Sequence, residues 1–386
     1  MNKKAIAILG AIFLLIVGTL GFLIYSKTGG TDKNSGTNPT PTPTPIANSP
    51  TPTPITTPTL DGNGVAKIYK LTDDQVVSPA LTFDGNGVAY FTKQGLLYRA
   101  TFSQNSGALQ IADKKQLAIE TKPGISKVIW PANTQDFVLV YDNGSKKTFE
   151  FYNNALGQFI KLDPQVYSLG FLPSGDKIFY VWSNQAGNDS INISAPDLKD
   201  YKTLSDIWDK NAVVYVSPDG QNVAYHQDPS TISGTSNPLM LTDTEGKTWH
   251  KVTEGFVSGV LWSPDGKKLL FSKKDPSTQN YQLWYYDLYS GEIKNLGLNT
   301  MPEKAVWGFD NQTIYAAVPK SIGAALGNSF SLDMFYKLNI QTSEKKSYDA
   351  GSMELDGRDL FLSQDNNKLF FRSAQDGGLY YLDLSQ

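Results

Sequence analysis

The chain has 386 residues, with 34 Lys+Arg against 37 Asp+Glu for a formal net charge of −3, 12% aromatic residues, 21 prolines and no cysteine. This excludes a disulfide scaffold, thiolate nucleophiles and Cys-ligated zinc. It also leaves too little positive charge to neutralise a phosphate backbone, so no nucleic-acid partner is expected. The average hides an asymmetry. Residues 1–60 hold Lys3, Lys4, Lys27 and Lys33 against Asp32 alone, and the remainder carries 30 basic and 36 acidic residues, a net of −6.

In chain order, residues 1–4 form a short basic end that precedes the apolar run AIAILGAIFLLIVGTLGFLIY at 5–25. At 1.5 Å per residue this run is about 30 Å long, the thickness of a hydrocarbon core. It exceeds the roughly 7–15 apolar residues of a cleaved signal peptide, and no Ala-x-Ala site follows it. The expectation is one uncleaved transmembrane helix, with Lys3 and Lys4 holding the N-terminus in the cytoplasm and everything after it outside. Residues 26–60 contain eight of the 21 prolines and alternate them with threonine. Such a segment cannot bury enough surface to fold, and reads as a disordered linker with polyproline II character. At about 3.1 Å per residue it holds the next domain up to about 100 Å from the bilayer.

Residues 61–386 read as all-β. Short Val, Ile, Leu, Phe and Tyr runs alternate with Gly, Asp, Asn and Pro turns, and one turn recurs seven times. VSPDGQNVAY at 216 and WSPDGKKLLF at 262 are close copies. LTFDGNGVAY at 81, WPANTQDFVL at 130, FLPSGDKIFY at 171, WGFDNQTIYA at 307 and LSQDNNKLFF at 362 follow the same pattern. The turn positions are Asp84, Asn133, Ser174, Asp219, Asp265, Asp310 and Asp365. Spacings of 49, 41, 45, 46, 45 and 55 residues, with four strand-like runs each, predict a seven-bladed β-propeller. The residue before each turn is apolar (Leu81, Trp130, Phe171, Val216, Trp262, Trp307, Leu362), so it is expected to pack between blades. The last copy ends on its third strand, and the run at 65–71 has no blade of its own. That run is expected to supply the missing fourth strand and close the ring.

The turns Ser217-Pro-Asp-Gly220 and Ser263-Pro-Asp-Gly266, with the strand LWYYDLYSG ending at Gly291, resemble the TolB-type, WD40-like (PD40) propeller repeat over about 65–386. The resemblance implies a domain outside the bacterial inner membrane that serves as a protein-interaction platform. Similar blades also cap prolyl-peptidase-like enzymes.

Signs of chemistry are few. A nucleophilic serine needs a Gly-x-Ser-x-Gly elbow, and Gly234-Thr-Ser-Asn-Pro238 and Gly327-Asn-Ser-Phe-Ser331 both lack its last glycine. His226 and His250 fall on separate strands and are expected to be structural. There is no Walker loop or dinucleotide fingerprint. The Asp-Gly-Asn-Gly runs at 61 and 84 lack the downstream acids of a calcium loop and read as turns. No catalytic residue, metal or cofactor is expected. The connections between blades nevertheless each carry an acid: Asp73 and Asp74; Glu120; Asp163; Asp206 and Asp209; Glu254; Glu303; Glu354 and Asp356. They open on one face, where an acidic ring around the central funnel attracts a cation or a basic segment. Ser321 opens an apolar loop at 321–326 that is a candidate contact patch. Glycosylation sequons stand at Asn143, Asn188, Asn192 and Asn311.

The sequence therefore predicts a non-catalytic, extracytoplasmic binding or scaffolding propeller, monomeric and tethered to the cell membrane. It would recognise a protein or cell-envelope polymer on its funnel face. The alternative is an enzyme acting on envelope or extracellular glycan or peptide, with funnel carboxylates as acid and base.

Overall fold

A strand rich in Val, Leu and Phe, bounded by turns only five or six residues apart, must bury both of its faces, and it does so between other sheets. The computed structural model describes residues 66–385, apart from 106, 133–134, 145, 185–188, 233–235 and 321–329. In it the chain forms seven four-stranded antiparallel sheets. The expected membrane segment at 5–25, the linker at 26–60, the turn at Asn133, the sequon at Asn188 and the apolar loop at 321–326 lie outside the described residues. Among the described residues no helix is long and apolar enough to cross a membrane.

The sheets are the blades. Their innermost strands, in order, are Val76–Leu81, Lys127–Ile129, Val166–Phe171, Ala212–Val216, Val257–Trp262, Ala305–Trp307 and Gly357–Leu362. Six blades take their four strands consecutively. The seventh borrows its outer strand from the other end of the domain. Ile68–Thr72 pairs antiparallel with Leu379–Asp383, placing Ile68 opposite Leu382 and Tyr69 opposite Tyr381. The expected closure is present, shifted by a few residues from 65–71. A second clasp reinforces it. The hairpin of Leu97–Asn105 and Ala108–Gln116 overhangs blade 1, stacks Phe102 on Phe370 and donates the Leu109 N–H to the Tyr381 hydroxyl at 2.8 Å. All seven cores and the closure lie within the unit Ile55–Gln386, which is thus a self-contained folding unit.

The cores lie between blades. Leu270, Leu283 and Tyr285 of blade 5 pack with Trp307, Ile314 and Ala316 of blade 6, for example. The second strand of each blade is sandwiched, as at Leu269, Leu270 and Phe271, all fully buried. The residue before the turn works as expected and does one thing more. The indole N–H of Trp130 donates to Ser78 O at 2.8 Å, that of Trp262 to Tyr215 O at 2.9 Å, and that of Trp307 to Leu261 O at 3.3 Å. Each tryptophan thus fills the gap between blades and bolts its own innermost strand to the preceding one.

Three of the turns follow one code. Ser217 Oγ donates to Asp219 Oδ1 at 2.6 Å and accepts the Asn222 N–H at 2.9 Å, while Asp219 Oδ1 also accepts the Gln221 N–H. Ser263 with Asp265, and Ser363 with Asp365, repeat the arrangement. Gly220 stands at φ +70°, the left-handed position that closes such a turn. Asp84 joins the same class. Its carboxylate takes Thr82 Oγ1, the Asn86 N–H and Arg99, which leaves it a turn residue.

Candidate functional site

The innermost strands of blades 2 to 5 wall a central cavity of about 670 Å³. Trp130, Tyr167, Tyr215 and Trp262 supply aromatic surface, and Val, Leu and Pro residues line most of the rest. At the funnel end the wall is completed by a single 3-10 turn, Pro302–Lys304, in place of the first half of the blade 6 innermost strand. Volume and lining suit one small ligand or one inserted segment.

Two ionic clusters frame this mouth. Asp228, at the end of the second strand of blade 4, accepts from Lys147 of blade 2 at 3.1 Å and from the Tyr167 hydroxyl of blade 3 at 2.9 Å. It also caps the 3-10 turn Pro229–Thr231 through the N–H and Oγ of Ser230. Burial opposes the charged carboxylate, but these donors outweigh it and hold Asp228 below the ordinary range. Lys147 further lies 5.3 Å from the Tyr167 ring centroid. Three blades are thus tied by one carboxylate.

The second cluster is buried. Lys304 Nζ contacts Asp333 Oδ2 at 2.6 Å, Asp356 Oδ1 at 2.9 Å and Ser331 Oγ at 2.7 Å. Asp356 also binds Arg358 through Nε at 2.8 Å, and Asp333 accepts the Gly357 N–H at 2.8 Å. Burial works against the charge on Asp356, yet Arg358 and Lys304 hold its carboxyl down to about 2. For Asp333 burial prevails and pushes the carboxyl up. Two cations and two anions balance, as burial requires.

The acids expected on the funnel rim have separate fates. Asp73 pairs with Lys70 at 2.5 Å, Glu120 with Lys122 at 3.1 Å, and Glu254 with Lys251. Asp74 takes Lys114 at 2.8 Å and the Tyr90 hydroxyl at 2.6 Å. Asp163 accepts the Gln165 N–H, and Glu354 accepts from Gln375 at 3.4 Å. Asp206 is exposed on the outer strand of blade 3, Lys202–Ile207. Asp356 belongs to the buried cluster instead of the open rim. Only Glu303 reaches the cavity wall. Asp209 is half-buried with no hydrogen bond or ion pair among the described residues, and burial pushes its carboxyl up. Beside it Trp208 is 87% exposed.

Sequence reasoning missed Asp333, Lys147, Tyr167, Asp228 and the exposed Trp208 as site residues. Lys147, Tyr167 and Asp228 belong to three repeats, and nothing in the spacing shows that they meet. Both histidines are satisfied. His226 Nε2 lies 3.2 Å from the Tyr215 hydroxyl and its Nδ1 lies 2.8 Å from Gln227 O. Nδ1–H donating to that carbonyl leaves Nε2 to accept from Tyr215, and burial keeps the ring neutral by lowering its pKa. His250 Nε2 lies 3.3 Å from the Tyr286 hydroxyl. Asn192 is buried and hydrogen-bonded to Thr203, so its sequon is inaccessible in the folded domain. Among the described residues no three His, Asp or Glu side chains come together where they could hold a metal ion.

No family model matches the chain, and no curated protein does. Solved structures do. An oligogalacturonate lyase in complex with manganese superposes with a TM-score of 0.60 at 12% identity, covering 84% of this chain and 95% of that one. The oligogalacturonate lyase of Vibrio parahaemolyticus gives 0.59 at 10% identity, covering 83% and 94%. TolB from Acinetobacter baumannii matches at a TM-score of 0.42 and 16% identity over 80% of this chain and 79% of that one. At these identities the likeness to the lyases is one of fold.

Proposed function

We propose that this protein is a non-catalytic binding propeller that takes a protein or cell-envelope polymer at the funnel end of its channel. The channel supports this reading most directly. It is an open, largely apolar cavity whose mouth carries the unpaired carboxylate of Glu303, while Asp228, Asp356 and Asp74 are committed to lysine partners. Carboxylates held ionised in ion pairs orient blades and are poorly suited to proton transfer. In this reading the run at 5–25 anchors the chain in the cell membrane with its N-terminus in the cytoplasm. The linker at 26–60 then sets how far the monomeric propeller reaches outside, and so its effective concentration near a partner.

The test is a crosslinking pull-down from cell-envelope extract with the unit Ile55–Gln386 as bait, beside a variant with Asp206, Asp209 and Glu354 changed to Asn and Glu303 to Gln. A partner captured by the parent and lost by the variant supports the reading. No partner for either refutes it.

One observation favours a second reading, an enzyme acting on envelope or extracellular glycan or peptide. Asp209, desolvated and unpaired beside exposed Trp208, has the environment of a general acid next to a stacking platform. The lyases of like fold act on oligogalacturonate, as their names state, so acidic oligosaccharides are the first substrates to screen. Turnover by the parent that is abolished in Asp209→Asn would put this reading first.

A further inference from the structure

Glu303 stands at the channel mouth on a turn whose neighbouring residues are anchored while its own carboxylate has no partner among the described residues. It stands between Pro302 and Lys304, both buried, on the 3-10 turn at the channel mouth, and is itself exposed. Lys304 pins the turn from beneath through Asp333, Asp356 and Ser331. From above, the carboxylate lies directly on the Cα of Gly259: a Cβ built there would come within 2.4 Å of Glu303 Oε1. Gly259 sits at φ +66° in the innermost strand of blade 5, so the same residue permits both the local bend and the close approach. Glu303 has no hydrogen bond or ion pair among the described residues. Arg358, the cation whose charge feels it, spends Nε and Nη2 on Asp356 at 2.8 and 3.3 Å. Below the carboxylate the channel wall is apolar and aromatic.

We propose that Glu303 is the recognition carboxylate of a site for an ammonium or guanidinium group attached to an apolar body, the cation meeting Glu303 at the mouth and the body entering the channel. This deepens the binding reading given above and rests on it. The other unpaired charge on the cavity wall is Lys127, at the start of the blade 2 innermost strand. Its exposed four-carbon stem loses more rotamer freedom on engaging a ligand than the shorter side chain of Glu303, which rises from a turn pinned by buried Pro302 and Lys304. The site therefore selects the cation. Trp130, Trp262 and Tyr215 line the channel and offer aromatic surface to the apolar body.

The probes are n-hexylammonium and n-hexanoate, of equal length and opposite charge, titrated calorimetrically into the unit Ile55–Gln386 below micelle-forming concentrations. Hexylammonium is expected to bind the tighter of the two. Glu303→Gln should weaken it by about tenfold or more, the loss of one charge-assisted contact. Lys127→Met should leave it unchanged or improve it. Tighter binding of hexanoate, or unchanged hexylammonium affinity in Glu303→Gln, overturns the proposal. Binding of neither probe overturns it as well, while partner capture from envelope extract, a separate measurement, still decides the broader reading.

Discussion

At the turn end of the ring Ser217, Ser263 and Ser363 each donate to the aspartate two residues on and accept an N–H from five residues on. At the funnel end the ties differ in which blades they join. Blades 2, 3 and 4 meet at Asp228 through Lys147 and Tyr167, and blades 6 and 7 meet at Lys304 through Asp333 and Asp356. The difference has a physical origin. Every blade needs the same tight reversal from its first to its second strand, so one solution recurs at Ser217, Ser263 and Ser363, and Asp84 and Asp310 serve as variants of it. The connections at the other end need only span the gap between blades, and are free to diverge towards whatever must be bound there.

Four measurements bear on this contrast. Deleting residues 66–72 removes the buried side chains of Ile68 and Leu71, opens the last blade, and acts on both ends at once. At about 1.5–3 kcal/mol for each large apolar side chain the expected loss is about 3–6 kcal/mol, read from urea unfolding, with light scattering reporting exposed edges. An unchanged midpoint would mean that the ring does not depend on its seam.

Lys304→Met comes next. It leaves Asp333 and Asp356 buried without their shared cation, and is expected to cost about 3–5 kcal/mol. A loss below 1 kcal/mol would show that the funnel end is as tolerant as a surface.

Asp228→Asn tests the other funnel cluster through pH. The folded carboxyl of Asp228 lies below its ordinary value, so its stabilisation is present above an unfolded pKa near 3.9 and is lost as pH falls through the folded one. The parent should exceed the variant by about 1–2 kcal/mol at pH 7, and the gap should close below about pH 4. A gap independent of pH would make Asp228 a packing residue only.

Ser217→Ala is the smallest change, expected to cost about 0.5–1.5 kcal/mol by the loss of two local hydrogen bonds. If it rivals Lys304→Met, the repeated turns and not the unique clusters carry the ring.

The same contrast explains what the sequence reveals. Trp130, Trp262 and Trp307 announce blade boundaries because each precedes a turn of fixed grammar, and the closing strand follows from counting strands. The acids of the connections are equally visible, but their fates are not. Asp356 and Glu303 look alike as rim residues, yet one is buried beside Lys304 and Arg358 and the other is presented to the channel. What separates them is the approach of blades 5, 6 and 7 around Pro302–Lys304, a contact among segments some 45 to 100 residues apart. Nor does the position of Asp228 betray its partner Lys147, 81 residues away.

The pairing of Ile68 with Leu382 has a further consequence in time. The two strands are separated by 314 residues, and a ribosome at 5–20 residues per second takes roughly 15–60 s to make them. For that interval the first strand has no partner, and every blade formed meanwhile belongs to an open arc. Completion of the ring therefore audits the length of the chain. A product broken off anywhere before Leu379 keeps two raw sheet edges, the feature by which proteases and aggregation alike single out unfinished molecules.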